Sequence, residues 1–199
     1  VNENNDAGVV QLASFAKAEQ LTYTAGHYIS EDAEFGSSIA IGDLGGEEGL
    51  EVIVGAAKEQ GVSLGGDDDN DDVQGQGAVY VFHILDPVSP ARIPNPSTSG
   101  EANNGRFGDS VAVYKDTSGT FHSLAISAPN NPVDSINNAG SVYLFENPLS
   151  NSSPQATLAN PLLGEENNNS IRFGDALAST PGRIGVGARN QDLLVDGSG

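Results

Sequence analysis

Phe107-Gly108-Asp109-Ser110-Val111-Ala112-Val113-Tyr114 is an alternating stretch opened by a Phe-Gly pair, and the chain writes such an opening three times. The other two stand at Phe35-Gly36 and Phe173-Gly174. Val111 and Val113 alternate with Ser110 and Ala112, which is the period-two pattern of a packed strand. Each opening is followed by an apolar run that ends in a corner of small residues. These runs are Val52-Ile53-Val54-Gly55-Ala56-Ala57, Leu124-Ala125-Ile126-Ser127-Ala128-Pro129 and Ile184-Gly185-Val186-Gly187-Ala188. A third signal follows twice, as Gly77-Ala78-Val79-Tyr80-Val81-Phe82 and Gly140-Ser141-Val142-Tyr143-Leu144-Phe145, with a worn copy at Gly8-Val9-Val10-Gln11-Leu12. Self-similarity outranks any single motif, because it makes the fold an array of one unit.

The pattern predicts four strands per unit. The first begins at the Phe-Gly, over Phe35 to Ile41 or Phe107 to Tyr114. The second covers Glu51–Gly55, Ser123–Ser127 or Arg183–Gly187; it is apolar nearly throughout, so burial on both faces is expected. The third is the Gly-x-Val-Tyr-x-Phe run, rich in β-branched and aromatic residues. The fourth is short and outermost, near Gln20–Thr24, Ala91–Ile93 and Gln155–Ala159. The prolines around it, such as Pro90, Pro94 and Pro154, suit an edge that must not recruit neighbours.

These units resemble FG-GAP repeats, the β-propeller blades of integrin α-subunit heads and of many bacterial surface proteins. The Gly-Ala-Pro signature of that family survives, one position changed in each copy, as Gly55-Ala56-Ala57, Ser127-Ala128-Pro129 and Gly187-Ala188-Arg189. The resemblance implies an all-β, propeller-type array of four-stranded antiparallel blades. Naming the four strands A to D, the chain reads CD-ABCD-ABCD-AB: a half-blade over 1–34, blades over 35–106 and 107–172, and a half-blade over 173–199. This is about three blades' worth, whereas a closed propeller ring ordinarily has four to eight. The expectation is that the two half-blades are completed by other copies of the chain or by further blades. The Phe residues are read as gap fillers between blades and the Gly residues as sites of close backbone approach.

Composition bounds the partners. The chain has 199 residues, enough to bury a sizeable core, and no cysteine, so no disulfide framework supports it. Its 27 acidic residues against eight basic ones give a formal net charge of −19. A surface this negative repels phosphate backbones and anionic lipid heads, so neither nucleic acid nor membrane-surface binding is expected, while divalent cations are favoured. No apolar run reaches the length of about 18 residues that a membrane span needs.

The resemblance also implies a calcium loop between strands A and B, with the pattern Asp-x-Asp-x-Asp-Gly-x-x-Asp, in which alternating oxygens wrap a hard cation. The corresponding stretch is Asp43-Leu44-Gly45-Gly46-Glu47-Glu48-Gly49-Leu50-Glu51. Carboxylates stand at its first, fifth and ninth positions, Asp43, Glu47 and Glu51. Gly45 replaces the third ligand and Glu48 the turn glycine, so a relic hairpin loop is the competing reading. The second unit has Lys115 at the first ligand position, and the third is shortened to Ser179-Thr180-Pro181-Gly182. A second candidate is Asp67-Asp68-Asp69-Asn70-Asp71-Asp72 between strands B and C, where Asp67, Asp69 and Asp71 share a face of an extended loop. A hydrated acidic loop with loosely held counterions explains it equally well.

Catalytic signals are thin. His27, His83 and His122 have no metal-type spacing, and neither a Gly-x-Ser-x-Gly elbow nor a phosphate loop occurs. The chain is read as a non-enzyme. Two sequons, Asn151-Ser152-Ser153 and Asn168-Asn169-Ser170, fall in loops around strand D and are candidates for glycosylation. The expected function is an extracellular or cell-surface adhesion or structural module that assembles head-to-tail through its half-blades into a ring or filament, with a protein or glycan as further ligand. The competing class is an accessory propeller segment of a larger secreted polysaccharide-active enzyme or of an integrin-like receptor.

Overall fold

Strand after antiparallel strand fills a computed structural model of the chain, which describes residues 10–13, 18–21, 32–45, 49–60, 75–97, 104–115, 122–162 and 170–191. Twelve strands are formed: β1 (Val10–Ala13), β2 (Ala18–Leu21), β3 (Phe35–Gly42), β4 (Glu51–Ala56), β5 (Ala78–His83), β6 (Asp86–Pro94), β7 (Val111–Lys115), β8 (His122–Ala128), β9 (Ser141–Glu146), β10 (Ala156–Ala159), β11 (Phe173–Thr180) and β12 (Arg183–Ala188). They pair as two four-stranded blades, β3-β4-β5-β6 and β7-β8-β9-β10, and two hairpins, β1-β2 and β11-β12. All pairings are antiparallel between consecutive strands, and no helix occurs among the described residues.

Register shows that the units are copies in geometry as well as in sequence. Phe35 faces Ala56 and Ile39 faces Val54 in the first blade; Val111 faces Ile126 in the second. In the β11–β12 hairpin Phe173 faces Ala188 and Leu177 faces Val186. The irregularity after the Phe is shared too, lying between Phe35 and Ile39 and between Phe173 and Ala176.

Three apolar layers follow from the alternation of side chains along each strand. Val52, Val54, Tyr80 and Phe82 point to one side of the first blade with Phe35. Ile53, Val79, Val81 and Ile93 point to the other, where they meet Phe107, Val111, Leu124, Ile126 and Phe145 of the second blade. The far face of the second blade, through Ala112, Ala125 and Val142, receives Phe173, Leu177, Ile184 and Val186. Each blade therefore covers the next, which is how a repeat array buries what no single unit can.

Glycine makes that approach close enough. The glycines of the three Phe-Gly pairs have φ values of 92°, 92° and 95°, a left-handed region that side chains disfavour. Gly77 and Gly140, which open the third strands, are tighter still. A Cβ on Gly77 would lie 2.1 Å from the Phe107 carbonyl oxygen, and one on Gly140 would lie 2.2 Å from that of Phe173.

Two expectations are adjusted. The first strand of the second blade starts at Val111 rather than at Phe107. The Phe107–Gly108 pair forms a turn closed by the Asp109 N–H donating to the Arg106 carbonyl, and the ladder with β8 begins only at Val111 opposite Ile126. The fourth strand of the first blade is longer than expected, running from Asp86 to Pro94 through three prolines; it tolerates them as an edge strand. Burial of the second strand on both faces holds for β4 and for residues 123–128 of β8. β12 is instead exposed or half-buried throughout, with a strand on one side only among the described residues.

Candidate functional site

The loop from β3 to β4 carries the first set of candidate ligands. Glu51 opens β4 with 1% of its surface exposed, and its Oε2 accepts the Leu44 N–H at 2.7 Å. Asp43 makes a tight turn, its Oδ1 accepting the Gly45 N–H at 2.9 Å. Its Oδ2 faces a cation supplied by the protein: Lys115 Nζ of the following blade, at 3.7 Å. Lys115 thus stands at the first ligand position of its own loop while its charge serves the loop of its neighbour. Glu47 lies outside the described residues, as do Asp67, Asp69 and Asp71. Among the described residues no three His, Asp or Glu side chains gather as a metal site.

Glu51 has a second relationship. Its Oε1 lies 3.8 Å from Nε2 of His83, its cross-strand partner, and neither atom has a hydrogen-bond partner among the described residues. His83 Nδ1 accepts the Leu85 N–H at 3.3 Å, so Nε2 is the ring nitrogen that faces Glu51.

Around the Phe-Gly turns the structure assembles charges that spacing alone did not single out. Arg106 Nε and Arg172 Nε donate to Asp109 Oδ1 and Asp175 Oδ1 at 2.8 Å and 2.9 Å, bridging each turn identically. In the first unit the Arg position is Glu34, which bonds Lys58 Nζ at 2.6 Å and Arg106 Nη2 at 2.9 Å. Burial would raise the Glu34 carboxyl, but these two cations outweigh it and hold the pKa below its ordinary value. The repeated Arg-Phe-Gly-Asp at 106–109 and 172–175 was the readable signal for these pairs.

Behind the turns sits a cleft of about 590 Å³ lined by Asn104, Asn130, Asn138, Asn190, Ser170, Arg172 and Arg189. Arg172 and Arg189 converge on Asp175 Oδ1, Arg189 Nη2 reaching it at 3.0 Å. Carboxamides and guanidinium groups at this density suit a hydroxyl-rich or anionic group rather than an apolar one.

A buried polar pair recurs beside each third strand. The Tyr80 hydroxyl donates to Glu59 Oε2 at 2.5 Å, and Arg92 Nε donates to Glu59 Oε1 at 2.7 Å. One blade later Asn131 Nδ2 donates to the Tyr143 hydroxyl at 2.7 Å. Burial, then the Glu59 carboxylate, pushes the Tyr80 hydroxyl far above its ordinary value. Asn95 Nδ2 reaches Asn131 Oδ1 at 3.4 Å, and Asn160 bonds Gln191 in the corresponding place, so the end of each fourth strand is tied to the next unit.

Of the two sequons, Asn151 is exposed in the turn after β9, its Oδ1 accepting the Ser153 N–H at 3.0 Å. Asn168 lies outside the described residues. Comparison with models of known protein families and with curated proteins finds no match to this chain.

Proposed function

We propose that the chain is an FG-GAP-type propeller module of the cell surface or extracellular space that works by completing blades. Its half-blades are completed by strands of other copies or of further FG-GAP blades, in an adhesive or structural assembly. The observation that carries this reading is that the β11–β12 hairpin repeats the register of the first two strands of the complete blades. Among the described residues β12 pairs only with β11, whereas β4 and β8 are paired on both sides. An unpaired edge is a template for strand addition, and β-augmentation joins chains by main-chain hydrogen bonds. The charge of −19 gives such a surface solubility between encounters.

Amide hydrogen exchange on the dilute chain tests the reading. The amides on the outer edge of β12 are expected to exchange near unprotected rates, while those of β4 and β8 are strongly protected. Equal protection of all three strands in a dilute monomer would overturn it.

A further inference from the structure

Arg106 and Arg172 stand at the same place in successive units, yet they are not equally partnered. Arg106 donates to Asp109 of its own turn and, through Nη2, to Glu34 of the preceding unit at 2.9 Å. Arg172 donates to Asp175 in the same way. The residue of its preceding unit at the Glu34 position is Arg106, so no second carboxylate meets Arg172 among the described residues.

What adjoins Arg172 instead is the cleft of about 590 Å³ behind the turns. Its size lies in the range of small-molecule sites and exceeds what a single ion fills. Two of the chain's eight basic residues, Arg172 and Arg189, line it. Among the described residues no acidic side chain does, in a chain that carries 27 of them. Asn104, Asn130 and Asn138 add carboxamides, and no apolar residue joins them. Asn130 Oδ1 is buried with no hydrogen-bond partner among the described residues, an acceptor that calls for a donor.

Main-chain bonds fix the walls of the cleft. The Arg172 N–H donates to the Asn138 carbonyl at 2.9 Å, and the Asn130 N–H to that of Gly105 at 3.2 Å. Asn190 Nδ2 donates to the Ser170 carbonyl at 3.1 Å, which ties the two sides of the third unit together.

The chemistry of a fitting ligand follows from these groups. Guanidinium forks match the planar geometry of a carboxylate. Carboxamides match hydroxyls, which donate and accept at one atom. An apolar ring would find no surface to cover, and a bare anion would leave the carboxamides unmatched. We infer that the cleft between the second blade and the β11–β12 hairpin binds an acidic sugar. Its carboxylate lies on Arg172 and Arg189, in the role that Glu34 plays for Arg106, and its hydroxyls meet Asn104, Asn130 and Asn138. The site lies within one chain and is independent of how the half-blades are completed.

Calorimetric titration of the intact chain with D-glucuronate, D-glucose and N-acetylaspartate tests this, the last standing for the acidic side chain of a protein. Glucuronate is expected to bind about tenfold or more tightly than either of the others, the scale of one hydrogen bond to a charged group. Arg189→Gln, at a side chain that is 60% exposed, should weaken glucuronate about tenfold. Arg183→Gln removes an equal charge at the other end of β12 and should leave the affinity unchanged. The inference is overturned if glucuronate fails to bind at millimolar concentration, or if glucose or N-acetylaspartate binds as tightly. It is overturned equally if the two variants weaken glucuronate alike, since only the overall charge would then be at work.

Discussion

Phe107 of the second Phe-Gly turn meets the Tyr143 ring edge-on, 5.7 Å between centroids and inclined by 63°, and Phe35 meets Tyr80 in the same way at 5.8 Å and 64°. One aromatic wedge is thus repeated, and its environment sets its worth. Phe107 is fully buried, so Phe107→Ala is expected to cost about 3–5 kcal/mol through lost transfer energy and an unfilled cavity. Phe173→Ala should cost less than half of that, because its ring is only half-buried. Urea midpoints of the two variants compare them directly; equal losses would contradict the role given to the third strand.

Gly77 and Gly140 make the second prediction. Each has a positive φ, 83° and 86°, and each leaves no room for a Cβ against the next unit's Phe backbone. Alanine at either position is expected to destabilise by at least ~2 kcal/mol, from the left-handed backbone and from the displaced neighbour together. Gly185 is the control, since a Cβ there would meet only the Ala178 carbonyl oxygen, at 3.8 Å. Gly185→Ala is expected to stabilise by about 0.5 kcal/mol by restricting the unfolded chain. Thermal or denaturant unfolding of the three variants should therefore give opposite signs.

The all-β class and the strand order of the two four-stranded sheets were legible because Phe-Gly, the small-residue corner and Val-Tyr-x-Phe each recur in order, and recurrence averages out local ambiguity. The strand edges were less legible. Phe107 reads as the first residue of a strand, yet it lies in the turn closed by the Asp109 N–H and the Arg106 carbonyl ahead of β7, a backbone hydrogen-bonding matter that no side chain announces. The candidate site was legible only in part. Asp43 and Glu51 were identified by spacing, but the side chains that face them, Lys115 and His83, come from the following blade and from a cross-strand neighbour. Such contacts depend on how blades stack, which a one-dimensional pattern does not encode.

The Glu34 cluster predicts an acid-sensitive contribution to stability. The folded-state pKa of Glu34 lies below its ordinary value of 4.5, as Lys58 and Arg106 favour the charged form more than burial opposes it. A depressed carboxyl contributes stability that is present above the unfolded pKa and is lost as pH falls through the folded one. The difference in stability between the native chain and Glu34→Gln should therefore be full at neutral pH and shrink as pH drops below 4.5. A difference that stays constant across that range would remove the cluster from the account.

Glu59 gives a sharper loss. It accepts from Tyr80 at 2.5 Å and from Arg92 at 2.7 Å while almost wholly buried. Removing it deprives the buried Tyr80 hydroxyl and the half-buried Arg92 guanidinium group of their shared acceptor, and losing a hydrogen bond to a charged group costs about 1.5–3 kcal/mol. Glu59→Gln keeps an acceptor for one of the two and should cost distinctly less than Glu59→Ala. Equal losses in the two variants on denaturant unfolding would show that charge, and not hydrogen bonding, dominates this site.

The last prediction concerns Lys115 and the loop it faces. Its ammonium lies 3.7 Å from Asp43 Oδ2, with 45% and 40% of the two side chains exposed. A pair so open to solvent is worth well under 1 kcal/mol, so Lys115→Gln should leave stability in chelator nearly unchanged. Its effect on cations is different in kind. A fixed positive charge beside the first candidate ligand opposes a divalent ion in the Asp43–Glu51 loop, and removing it lowers that opposition. Any ion that binds the folded chain alone raises the melting temperature by mass action. The shift between millimolar calcium and chelator is therefore expected to be larger in Lys115→Gln than in the native chain. If the two shifts are equal, the ammonium is not the cation that competes at Asp43.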